Sequence, residues 1–121
     1  VNKIRDIVNA SEKTYFFAIG AEKTLNDVTL KIKSVTPWQN RSIITAELTN
    51  SAGKYFFISN ISVTSGGMPL QADLFNEPFV QGNKTATIFI LTRQLKSEAV
   101  AVKLTESAGS RRTFDIPITL P

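Results

Sequence analysis

The chain has 121 residues, 42% of them hydrophobic and 20% charged, which suits one domain with a real core and argues against intrinsic disorder. It contains no His and no Cys, which removes thiol nucleophiles, imidazole bases, disulfides and zinc in its usual ligation. The net charge of +4 fits a solvated basic surface or an anionic partner; Arg111-Arg112 is the only adjacent Arg pair, so no nucleic acid is expected.

Val1 to Ser11, "VNKIRDIVNAS", places Val1, Ile4, Ile7 and Val8 at helical spacing. Eleven residues make a marginal helix alone, so the pattern predicts either a docking helix or the continuation of a membrane anchor upstream. The chain opens on Val1 rather than Met and reads as a processed product or part of a longer protein. No apolar run reaches the 18 or so residues that a spanning helix needs. The expected division is a helical stalk over 1–11 and a β domain over 12–121.

From Thr14 the period becomes two. "TYFFAIG" is a first strand, then Val28, Leu30 and Ile32 share a face, as do Ile44, Ala46 and Leu48. The turn "NSAG" leads into "KYFFISNISVTSGG", where Tyr55, Phe57, Ile61 and Val63 read as the inward face. Leu70, Ala72 and Leu74 follow, then a looser "NEPFVQGN". Ala86, Ile88 and Ile90, Val100, Val102 and Leu104, and Phe114, Ile116, Ile118 and Leu120 complete the inward sets. Pro117 lacks an amide donor and predicts an edge or a bulge. About eight short strands with turn chemistry between them predict an all-β fold, an antiparallel immunoglobulin-like β-sandwich, with a small barrel as the competing architecture.

The catalytic patterns are weak. Ser51 to Lys54 matches Ser-x-x-Lys, but lies in a turn between strands rather than at a helix start. Glu22/Asp27 and Asp73/Glu77 lack the oxygen density of a calcium loop. We therefore expect no enzyme, no cofactor and no metal. Asn9, Asn40, Asn60 and Asn83 fit Asn-x-Ser/Thr and are candidate glycosylation acceptors. Trp38 reads as a cap on one end of the core.

The strongest signal is an apolar second face. Phe56 and Ile58 break the alternation of their strand (a bulge near Ser59-Asn60 would flip the phase and turn them inward), and Phe89 and Leu91 break that of "TATIFILT". Together they would form a large apolar patch, covered by the N-terminal helix, by the "NEPFVQGN" loop or by another chain. On the last reading these four residues are an interface, with Phe79 and Val80 as secondary contacts. Ile58→Lys or Phe89→Lys then abolishes self-association and leaves a folded monomer.

In layout, "VNKIRDIVNAS" followed by Val28 to Gly67 resembles archaeal pilin-like proteins, and above all the accessory proteins F and G of the archaeal flagellum, or archaellum. The stretch "ELTNSAGKYFFI" leads into a strand that ends near paired glycines, as in that group. The resemblance implies a membrane-tethered extracytoplasmic sandwich in the cell envelope, part of the motor's stator, that self-associates or binds a sister subunit or surface-layer protein. It supplies no site residues. The lack of Cys and the four sequons are compatible with that setting. The expected function is a non-catalytic assembly module. The alternatives are a bacterial surface or secretion module of similar fold and a carbohydrate-binding accessory domain, which would need an exposed aromatic platform.

Overall fold

A computed structural model describes residues 17–74, 78–96, 99–107 and 112–119, with side chains from residue 21. Its elements are β1 (Phe17–Leu25), β2 (Val28–Trp38), β3 (Arg41–Asn50), β4 (Phe56–Ser65), β5 (Met68–Leu70), β6 (Asp73–Leu74), β7 (Phe79–Val80), β8 (Lys84–Arg93), β9 (Ala99–Glu106) and β10 (Thr113–Thr119). They build two antiparallel sheets, ordered β1-β2-β3-β8-β6 and β10-β9-β4-β5, with β7 paired to the start of β4. The expected β-sandwich is present. Among the described residues there are ten strands rather than about eight, of which β5, β6 and β7 are only two or three residues long. Among the described residues no helix is long and apolar enough to cross a membrane. The helix expected over 1–11 lies outside the described residues.

Turn chemistry closes the hairpins. Gln39 and Asn40 both take positive φ, 49° and 60°, and so do Gly66 and Gly67, 58° and 83°. Two left-handed residues in a row make the tight turn whose twist matches its flanking strands. The Trp38–Arg41 and Ser65–Met68 pairs flank these turns.

The period-two sets meet between the sheets. Val28, Leu30, Ile32, Ile44, Ala46, Leu48, Ile88 and Ile90 face Val63, Val100, Val102, Leu104, Phe114, Ile116 and Ile118, all fully or nearly buried. β10 is an edge strand, and Pro117 sits on its exposed side, where the missing amide costs no ladder bond.

Two bulges change the pattern. In β2 the register steps from Ile32–Ala46 to Ser34–Thr45, which leaves Lys33 extra and hands the inward role on to Val35. In β4 it steps from Ile58–Glu106 to Asn60–Thr105, which leaves Ser59 extra. Each additional residue moves later side chains to the opposite face. In β4, therefore, Phe56 and Ile58 point inward before the bulge, and Ile61 and Val63 after it.

The expected interface is corrected by this phase. Phe56 and Ile58 are core residues, 1% and 8% exposed, whereas Tyr55 and Phe57 point outward at 49% and 45%. Val80 is buried in the same core. Phe89 and Leu91 lie on the far side of the first sheet, clustered with Ile43 and with Trp38 packed against them. Phe56/Ile58 and Phe89/Leu91 thus face opposite ways and form no shared patch. Trp38 caps that smaller cluster, not the main core.

A candidate interaction surface

Local structure at the start of β4 sets the exposed aromatics. The Asn50 side chain, 1% exposed, donates from Nδ2 to the carbonyls of Lys54 at 2.8 Å and Val80 at 3.1 Å. Its Oδ1 accepts from the Ala52 amide at 3.1 Å. This one amide ties the turn after β3 to the strand β7 that flanks β4. The expected turn at Ser51 to Lys54 is thereby a structural hub.

Phe56 fixes the facing of its neighbours. Its ring meets Phe114 edge-on, with centroids 6.1 Å apart, and the Arg112 guanidinium lies 5.4 Å from its centroid. Arg112 donates from Nε to Glu106 Oε1 at 3.0 Å and from Nη2 to Oε2 at 3.1 Å. Its Nη1 donates to the Leu25 carbonyl at 3.2 Å, which joins the β9–β10 end to the first hairpin. These hydrogen bonds hold the Glu106 carboxyl below the usual carboxylate range, against the opposing effect of burial.

With Phe56 held inward, Tyr55 and Phe57 emerge on the outer face. Phe57 pairs across strands with Phe79. The Tyr55 and Phe57 rings are near-parallel, 17° apart with centroids at 5.8 Å, and Phe79 lies 5.7 Å from Tyr55 and 6.4 Å from Phe57. The backbone beneath is pinned on both sides: Ser107 N–H donates to the Phe57 carbonyl, and Ile58 N–H to the Pro78 carbonyl. Three aromatic rings on a fixed strand pair make a preformed apolar surface.

Of the six expected interface residues, only Phe79 belongs to this surface. Tyr55 and Phe57 were assigned inward by simple alternation. The bulge near Ser59-Asn60 that reverses this phase is present, with Ser59 the extra residue. The rest of this outer face carries small and polar side chains, with Ser62, Thr64, Ala101 and Thr105 around the cross-strand pair Lys103 and Asp115. Asn60 is exposed on it. Asn40 and Asn83 are exposed in left-handed turns, and Asn9 lies outside the described residues. Ser42 of the Asn40 sequon is buried, and its Oγ accepts the Leu95 amide proton. Among the described residues no three acidic, His or Cys side chains gather to hold a metal ion.

No family model matches the chain, and no curated protein matches it by sequence. Among solved structures it is similar to ycdA of Bacillus subtilis, described as a candidate lipoprotein, with a TM-score of 0.64 and 12% identity. The alignment covers 81% of this chain and 38% of that one. At that identity the likeness concerns the fold.

Proposed function

We propose that the chain is a non-catalytic, extracytoplasmic binding module that assembles through the outer face of its second sheet. The observation that carries this reading is the ring cluster of exposed Tyr55 and Phe57 with half-buried Phe79, on a backbone already pinned by β7 and β9. Aromatic side chains are enriched at interface centres because they bury much area at little entropic cost. The fold likeness to a candidate lipoprotein supports a position outside the cytoplasm.

The occupant we assign is a second copy of the chain. Lys103 and Asp115 stand side by side on this face. A two-fold partner can set each against its opposite, which satisfies the self-complementarity that such an interface demands. The specific form suggested by the resemblance is a membrane-tethered stator component of the archaellum, with a sister subunit or surface-layer protein as further partner. A bacterial envelope module is the second reading, favoured by the bacterial source of the similar structure.

Sedimentation velocity of wild type and Phe57→Lys over a range of concentrations tests the assignment. We expect wild type to associate and Phe57→Lys to stay a folded monomer. A wild type that is monomeric throughout removes the second copy as the occupant.

A further inference from the structure

Three Asn-x-Ser/Thr sequons lie within the described residues, and the fold presents them differently. At Asn40 the acceptor is exposed in the β2–β3 turn, but Ser42 is only 2% exposed and its Oγ accepts the Leu95 amide proton at 2.9 Å. At Asn60 the sequon runs along the middle of β4, with Asn60, Ile61 and Ser62 paired to Thr105, Leu104 and Lys103 of β9. Ile61 and Ser62 are half-buried there. At Asn83 all three residues, Asn83, Lys84 and Thr85, are exposed.

We propose that Asn83 is an N-glycosylation site, the sequon that the folded chain offers to a transferase using a lipid-linked oligosaccharide. This rests on the extracytoplasmic position proposed above, because such sites are modified on secreted surfaces. Transfer needs two acceptor groups at once, the Asn carboxamide that is modified and the hydroxyl two residues on that is recognised. The carboxamide nitrogen attacks the anomeric carbon of the donor. An N–C bond forms, the bond from that carbon to the lipid phosphate oxygen breaks, the lipid phosphate leaves and the amide gives up one proton.

The β7–β8 connection suits this chemistry. Asn83 N–H donates to the Ala52 carbonyl at 3.0 Å, and Gly82 packs on the Ala52–Lys54 backbone. The turn thus keeps its inner side against that loop and leaves the Asn83 side chain in solvent. Thr85 Oγ1 donates to Thr49 Oγ1 at 3.2 Å, an exposed bond that water can replace. Lys84 and Thr85 are the first two residues of β8, and they pair with Asn50 and Thr49 of β3, while β6 reaches only Ile90 and Leu91. Strand ends open at lower free energy than strand centres, so residues 83–85 can be drawn out without parting the sheet. Residues 60–62 come away only with the middle of the β4–β9 ladder. Ser42 also lies near a strand end, yet releasing it strands the Leu95 amide.

Transfer in vitro to the purified, folded chain tests the site. It uses a single-subunit oligosaccharyltransferase of relaxed acceptor preference, a lipid-linked oligosaccharide and mass spectrometry of the resulting peptides. Synthetic peptides over 38–44, 58–64 and 81–87 serve as the unfolded reference. We expect all three peptides to be modified. In the folded chain, occupancy relative to the matching peptide should be at least about tenfold higher at Asn83 than at Asn40 or Asn60. Thr85→Ala, at an exposed position, should abolish transfer to Asn83 and leave the circular dichroism unchanged. Equal occupancy at Asn40 or Asn60, or none at Asn83, overturns the assignment, and so does an 81–87 peptide that accepts no sugar. The assay contains no cell and is blind to location. Digestion of the chain by protease added to intact cells tests the extracytoplasmic reading separately.

Discussion

Arg112 grips Glu106 through both carboxylate oxygens, from Nε to Oε1 at 3.0 Å and from Nη2 to Oε2 at 3.1 Å, with both side chains largely buried. The guanidinium also lies over Phe56 and reaches the Leu25 carbonyl, so one pair joins the second sheet to the first hairpin. Removing one partner of a buried pair strands the other charge, so Glu106→Ala should cost about 3 kcal/mol in urea denaturation. A matching loss is expected for Arg112→Ala, and the double variant should cost less than the sum of the two.

The same pair sets an acid dependence. Glu106 titrates lower in the folded chain than in the unfolded one, because Arg112 hydrogen-bonds its charged form. The unfolded chain therefore binds more protons in acid, and stability falls as pH drops. The contribution is complete above the unfolded carboxyl value of about 4.3 and is lost as pH falls through the lower folded value. Glu106→Gln should flatten this part of the stability profile below the unfolded carboxyl value of about 4.3. An unchanged slope would show that other carboxylates dominate.

Neighbouring phenylalanines should behave oppositely. Phe56→Ala empties a core position and should cost about 3–5 kcal/mol, whereas Phe57→Ala removes an outward ring and should cost under about 1 kcal/mol. Urea midpoints of the two variants test the phase of β4 directly. By the same logic Ile58→Lys buries an unpaired charge, and circular dichroism should show an unfolded chain rather than a folded monomer.

Gly82 is held in place by close approach. A Cβ there would lie 2.8 Å from the Ala52 oxygen, the Gly53 carbonyl carbon and the Lys54 nitrogen, all backbone atoms. Gly82→Ala must push apart the turn that Asn50 binds, at a cost of about 1–3 kcal/mol. Asn50→Leu should cost a similar amount, since it leaves the Val80 carbonyl and its neighbours short of a donor. Melting temperatures of both variants below wild type would confirm the hub, and a neutral Gly82→Ala would show that the turn gives way freely.

The sequence by itself determined the all-β class and most of the core, while the choice of a two-sheet sandwich over a small barrel came from the strand order. Sets such as Val28/Leu30/Ile32 and Val100/Val102/Leu104 alternate because a strand sends successive side chains to opposite faces, a local rule that needs no partner strand. The paired glycines of the β4–β5 turn and the edge position of Pro117 were legible for the same local reason. The sequence marks Ser59-Asn60 as a place where the phase can break, and only tertiary structure decided that it does. A bulge at Ser59 exists only relative to β9, as two residues opposite one, so alternation counted along β4 put Tyr55 and Phe57 inside and Phe56 and Ile58 outside. It also decided that Phe89 and Leu91 serve a different face from Phe56 and Ile58, since strand order assigns β8 and β4 to opposite sheets. Periodicity can say that a strand has two apolar sides; only the packing of sheets says which side is core.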